Sequence, residues 1–425
     1  MKSKVTNYIK IFCALGLLAF SNSAFAQGWV SQYTFSPAQS LQAIRFYDAN
    51  TGYTTAPVYG GSMLEIHKTT NGGATWTDQN AGYTGERFMA IWIVHPDTVY
   101  ISGNDGHILK TVNGGNNWVT LNSGDTAQLW GLQFVNSFTG YAAGAYGHIL
   151  KTTDAGATWV QQVSGVQNLF SCVCFRNENT GYISGSVIIE KTTNAGASWN
   201  PLTISLVNFE DVNQLQFIDD QTGYGVTSAY RFIKTTNAGT SWTANVIGPS
   251  QTLMAEYFLD ANTGYACGWN GTILRTTDAG STWSQQTSPV TDILTGVWFT
   301  TANTGYIATW FGHVLHTTNG GVTFVEPISG SVPQSYSLKQ NYPNPFNPAT
   351  NIEFDVPQDV KQISSNVKLV VYDIIGNEVT TLVNDKLNPG SYRVSWNAAN
   401  YSSGIYLYKL TAGDYRETKR MILVK

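Results

Sequence analysis

Thr152-Thr153-Asp154-Ala155-Gly156-Ala157-Thr158-Trp159 is the stretch whose reading decides the fold. A carboxylate, a glycine and a tryptophan in one short turn could belong to a ligand loop or to a structural hinge. Copies of the phrase answer the question by number. TTNGGATW ends at Trp76, TVNGGNNW at Trp118, TTNAGASW at Trp199, TTNAGTSW at Trp242, TTDAGSTW at Trp283 and TTNGGVTF at Phe324. Successive ends lie about 41 residues apart, and a period that regular is the mark of a repeat architecture.

Each unit carries a second motif upstream, at Gly52-Tyr53, Gly140-Tyr141, Gly181-Tyr182, Gly223-Tyr224, Gly264-Tyr265 and Gly305-Tyr306, with Tyr100 closing a variant in the second unit. Turn residues divide every unit into four short β-rich runs. Four strands in about 41 residues make a propeller blade, so seven units predict a seven-bladed β-propeller. Trp29-Val30-Ser31-Gln32 resembles the segment that begins at Trp159, which predicts that the first strand supplies the outer strand of the last blade and shields its edge.

The phrase resembles the Asp-box, or BNR repeat, of sialidases and several other propellers. That resemblance implies a turn between the third and fourth strands of a blade. Asn71, Asn113, Asp154, Asn194, Asn237, Asp278 and Asn319 are then structural acceptors of backbone N–H groups. The glycine takes the positive-φ position, and the tryptophan packs between blades. Five of the seven copies have Asn, which carries no charge, so a catalytic role for the set is excluded. Over residues 29 to about 327 the chain resembles the photosystem II assembly factor-like propellers, through TGY, the G-x-x-G-x-I-L-[KR]-T-T run and the box. That likeness implies action by binding rather than by chemistry.

The bulk composition agrees. Charged residues make up 12% of the 425, aromatics 13%, and there are 41 glycines, a β-rich profile. A net charge of −4 argues against nucleic acid as a partner, because phosphate binding needs clustered Lys and Arg. Residues 1–26 read as a signal peptide: Lys2, Lys4 and Lys10 precede an apolar run from Ile11 to Phe20, and Ala24-Phe25-Ala26 is a small-x-small cleavage site. Cys13 falls inside the apolar core, which argues against a lipoprotein anchor. Cys172, Cys174 and Cys267 remain, an odd number that excludes a disulfide framework. No transmembrane segment is expected after the signal. The mature chain is expected to be a monomer.

The expected domains are the propeller at 27–327, a linker at 328–335 and a β-sandwich of about seven strands, immunoglobulin-like, at 336–425. Within the last, Tyr342-Pro343-Asn344-Pro345-Phe346-Asn347-Pro348 and the ending KRMILVK resemble the type IX secretion C-terminal sorting domain. The resemblance implies the type IX machinery as a partner, passage through the periplasm and across the outer membrane, and a secreted or cell-surface location.

Candidate chemistry is sparse. On the innermost strands, the position two before the closing residue reads Ile44, Ile91, Leu132, Val173, Leu215, Glu256 and Val297. A lone carboxylate there is costly if ionised, and a raised pKa would suit a general acid. The plainer expectation is a Glu bonded to a neighbouring strand or water. Ahead of the same strands, Glu86, Arg87, Gln128, Trp130, Phe170, Glu210, Asp211, Asp292 and Trp298 are entrance-loop candidates. Arg87, Trp130, Phe170 and Trp298 are the expected ligand contacts, on a sugar or a peptide. Glu210 and Asp211 are adjacent and point to opposite faces, a poor pair for glycoside cleavage. Lys68, Lys110, Lys151, Lys191, Lys234, Arg275 and His316 precede the boxes and are expected to lay stems over apolar surface with solvated heads. The six histidines form no ligand cluster, so no metal and no cofactor is expected. The resulting expectation is an exported, non-catalytic binding or scaffold propeller. The alternative is a secreted glycoside hydrolase on an Asp-box propeller, although no arginine trio and no FRIP motif of a sialidase is found.

Overall fold

The computed structural model describes residues 28–36, 38–56, 65–79, 87–204, 210–321, 326–329, 332–358, 365–398 and 401–425. The signal-peptide reading and Glu86 fall outside them. The chain is nearly all β. Seven four-stranded sheets follow one another, with innermost strands Ala43–Phe46, Phe88–His95, Leu129–Phe134, Phe170–Phe175, Val212–Phe217, Leu253–Phe258 and Leu294–Phe299. Each innermost strand packs against the next, and the last packs against the first, so the ring closes. We number the blades one to seven in that order.

Closure uses the N-terminus. Val30–Thr34 pairs with His313–Thr317 and completes blade seven. Trp29 completes its packing. In blades one and three to six, the box tryptophan stands edge-on to the phenylalanine of its own innermost strand, as Trp159 does to Phe134 at 6.1 Å. That phenylalanine stacks on the tyrosine of the preceding blade, Tyr100 in this case, at 3.9 Å. In blade seven Trp29 takes this place, edge-on to Phe299 at 5.8 Å, with Tyr265 stacked on Phe299 at 4.1 Å. A ring set of this kind adds about 0.5–1.5 kcal/mol per pair beyond burial.

The box geometry is that of a hinge. Asp154 Oδ1 accepts the Thr158 amide at 2.8 Å and the Thr152 hydroxyl at 2.8 Å, and Thr152 Oγ1 accepts the Gly156 amide. These bonds, first that from the Thr158 hydroxyl, hold the Asp154 carboxyl at about 2. Asn71, Asn194 and Asn237 accept the equivalent amides uncharged. Gly156 has φ 85°, and Ala155 before it has φ 58°, a left-handed residue that the sequence did not announce.

The Ala155 carbonyl corrects one expectation. It accepts the Tyr100 hydroxyl and the Lys110 ammonium of the preceding blade, both at 2.9 Å. Tyr141 and Lys151 reach Ala195 in the same way, and Tyr182 and Lys191 reach Ala238. Lys68 and Lys234 bond Gly114 and Ala279. The lysine heads are therefore not solvated ends but latches between blades. Arg275 instead donates to Tyr265, and His316 stacks on Tyr306.

The tail forms two four-stranded sheets packed over a core that includes Ile352, Phe354, Leu369, Trp396 and Tyr408. Glu326–Ser329, at the expected end of the propeller and start of the linker, pairs instead with Gly390–Asn397 of the tail. The PNPF motif and the C-terminus are joined: Phe346 N donates to Ile422 O at 3.0 Å, Val424 N to Phe346 O at 3.0 Å, and Ile422 N to Asn344 Oδ1 at 2.9 Å. The Phe346 ring is buried against Trp396, whereas Tyr342 is exposed.

Candidate functional site: the upper face and the channel

The turns between second and third strands open on the same face as the segments leading into the innermost strands. A repeated bond fixes this: Asn104 N to Arg87 O, Ala145 N to Gln128 O, Ser186 N to Leu169 O, Ser228 N to Asp211 O, Trp269 N to Thr252 O and Trp310 N to Ile293 O. We call this the upper face. The boxes lie at the opposite end of the strands.

Three acids of the upper face are paired. His148 Nδ1 lies 2.7 Å from Asp125. Arg231 Nε lies 3.0 Å from Glu210, which also accepts the Thr227 hydroxyl. Asp292 accepts the Thr309 hydroxyl at 2.8 Å and faces His313 at 3.7 Å. Each pair ties the approach segment to the start of a third strand. The Asp211 amide is held by Ser228 Oγ. No two of these carboxylates form a free acid and base pair.

Of the expected ligand contacts, two stay on this face. Arg87 is exposed at its rim. Trp130 is half-buried and donates to Gln128 Oε1 at 3.0 Å, while Gln128 bonds Asn104. The other two move. Phe170 is fully buried, because a bulge between Phe170 and Cys172 turns its ring into the blade interface. Trp298 belongs to the far end of the channel, edge-on to Tyr257 with ring centres 4.9 Å apart.

Glu256 is wholly buried, and neither oxygen meets a partner beyond its own residue. It is bonded to no neighbouring strand, which corrects that half of the plainer expectation, and a carboxyl with no exposed surface is poorly placed to meet a ligand as an acid. Burial pushes its carboxyl up to about 8. Glu190 was missed. It stands immediately before Lys191, where other blades carry Leu109, Leu150, Ile233, Leu274 and Leu315, and it too is buried without a partner, its carboxyl raised by burial to about 7. Comparing that repeat position as closely as the Glu256 position would have found it. The three thiols are free, and burial pushes each upward.

These carboxyls set a pH dependence. Folded Glu256 keeps a proton that the unfolded chain releases near 4.5, so its stabilising share is complete at low pH and is lost as pH rises through about 8. His67, lowered by burial to about 4, acts with the opposite sign but only below its ordinary 6.5. Between about pH 6.5 and about 8 the wild-type chain should lose about 2 kcal/mol in urea titrations. Glu256→Gln should flatten most of that slope. An unchanged slope would show that Glu256 is ionised when folded.

Among the described residues no group of His, Cys, Asp and Glu could hold a metal ion, and no helix is long and apolar enough to cross a membrane.

Comparison with known proteins follows the two-part build. Residues 340–425 match the family described as secretion system C-terminal sorting domain. That indicates export by the type IX system to the cell surface or the extracellular space. Residues 119–256 match the family described as photosynthesis system II assembly factor YCF48. Among solved structures, the chain is similar to "YCF48 bound to D1 peptide", at 17% identity and a TM-score of 0.58, covering 69% of this chain and 97% of that one. It is also similar to YCF48 from Cyanidioschyzon merolae, at 16% identity and 0.55, covering 68% and 98%. The WD40 propeller domain of Doa1 follows at 12% and 0.55, covering 69% and 98%. At these identities the likeness shows the fold. No curated protein matches the sequence.

Proposed function

We propose that this exported propeller is a non-catalytic binding or scaffold module that holds a peptide segment of its partner on the upper face. The observation that carries the reading is the contrast on that face between paired acids and outward aromatics. Tyr146 is 73% exposed, Phe311 56% and Trp269 45%, all on turns between second and third strands. Large apolar groups left in water around the mouth of one face mark an interaction surface, and the exposed aromatics at the box end, Phe138 and Tyr47, lie on turns between first and second strands. Tyr146 and Val187 also hold φ of 58° and 62°, costly for bulky and β-branched residues. Arg87 and Trp130 adjoin this surface and remain the proposed polar and aromatic contacts. Phe170 and Trp298 drop out. One similar propeller was solved with a peptide bound, and peptide binding by this chain is our extension of that. The hydrolase alternative draws no support from a sealed Glu256.

A peptide and glycan array probed with the purified full chain tests this. Replacing Tyr146, Trp269 and Phe311 together by Ser should abolish peptide binding while shifting stability by about 0.5 kcal/mol or less per site. Undiminished binding by the triple variant would remove the upper face from the account. Binding confined to glycans would overturn the peptide.

A further inference from the structure

The position just before the repeat's closing residue (Phe46, Ile93, Phe134, Phe175, Phe217, Phe258 and Phe299) carries Arg45, Trp92, Gln133, Cys174, Gln216, Tyr257 and Trp298, and these side chains turn toward the next blade around the channel. Gln133 bonds both the amide and the carbonyl of Phe175, and Gln216 does the same at Phe258. In these blades the position is a structural clasp. Arg45 departs from it. Its guanidinium carbon lies 4.1 Å from the Trp92 ring centre and 4.5 Å from that of Trp298, one indole from each flanking blade.

Stacking of this kind covers the two faces of a guanidinium and leaves its five N–H donors in the plane between. Among the described residues none accepts a hydrogen bond from Arg45 and no carboxylate pairs with it. Of the charged side chains on the innermost strands, Glu256 is sealed between blades and His95 lies at the exposed strand end, so among the described residues Arg45 is the one cation that these strands present to the channel. Tyr257 stands beside it, close enough for each to bias the other's charge, and its hydroxyl has no partner among the described residues. Burial lowers the Arg45 pKa to about 10, as expected for a cation with no anion nearby. A half-buried, uncompensated cation held between two indoles, with free in-plane donors, is the chemistry that takes a carboxylate two-pronged.

We propose that Arg45, gripped by Trp92 and Trp298 and flanked by the Tyr257 hydroxyl, binds a ligand carboxylate in the channel near the lower end of the strands. The site is separate from the upper face and stands or falls independently of the peptide reading. A carboxylate of this kind comes from a peptide C-terminus or from an acidic sugar, and the two have different probes.

Isothermal titration of the purified full chain with an N-acetyl dipeptide, with methyl glucuronide and with uncharged methyl glucoside, at constant ionic strength, tests it. One carboxylate should bind and quench tryptophan fluorescence, and the glucoside should not. Arg45→Met, which keeps the stem between the indoles, should weaken binding about tenfold or more, and Arg45→Lys less, because it keeps the charge and forfeits only the two-pronged contact. Tyr257→Phe, a mild change that keeps the fold, should weaken it a few-fold. The probe that binds identifies the source. No binding of either carboxylate, or equal affinity in folded Arg45→Met, would overturn the site.

Discussion

Trp29→Ala should destabilise the propeller by about 3–5 kcal/mol, the cost of deleting a buried tryptophan. The ring is 5% exposed, stands edge-on to Phe299 and Tyr265, and donates to Gln286 Oε1 at 2.8 Å. It fills the slot between blades six and seven at the point where the chain must close on itself. Gly321 lets it in: a side chain at that position would meet the indole nitrogen at 2.1 Å. The effect should exceed that of Trp242→Ala, because blade five stays continuous in sequence whereas blade seven is held to its outer strand by non-covalent pairing alone. Removing Val30–Thr34 as well would bare the His313–Thr317 edge to pairing with other chains. Chemical denaturation measures the first effect, and light scattering the second. Equal losses for Trp29→Ala and Trp242→Ala would show that closure carries no special weight.

Phe346→Ala should stop delivery across the outer membrane. Phe346 joins the PNPF segment to the final strand through two backbone bonds, and its ring is 2% exposed. Truncating it costs about 3–5 kcal/mol in a small β-sandwich, enough to unfold much of the tail population. Tyr342→Ala removes a side chain that is 79% exposed and should leave the tail folded. Fractionation of producing cells should find the Phe346 variant in the periplasm and the wild type outside. Normal export of a tail shown to be unfolded would mean that the signal is read as sequence rather than as a fold. Failed export of Tyr342→Ala with an intact fold would place recognition on that exposed ring.

Much of the architecture was legible because a 41-residue period constrains every copy at once. Trp29 was readable as a box-like tryptophan, and the structure puts it where that reading required. The latches were not legible. Lys151 and Tyr141 lie on predictable strands, but their acceptor is the carbonyl of a left-handed alanine in the next blade, and spacing does not tell where a carbonyl points. Phe170 was misplaced because a bulge changes which side of the strand it faces, and strict alternation assumes none. Trp298 was assigned to the wrong end of its strand. Arg45 was not singled out because the repeats were compared one position earlier in the alternation, at Ile44 and Glu256. Glu326–Ser329 was read as propeller end and linker because a four-residue strand carries too little pattern to reveal which sheet it joins.

The central claim is that the upper face holds a partner without transforming it. The most direct test incubates the purified full chain with the peptide that its array selects, then examines the recovered ligand by mass spectrometry beside the bound fraction. The account predicts saturable binding, loss of binding in the Tyr146, Trp269 and Phe311 variant, and ligand recovered at its original mass. Ligand recovered cleaved, with turnover retained in that variant, would contradict it.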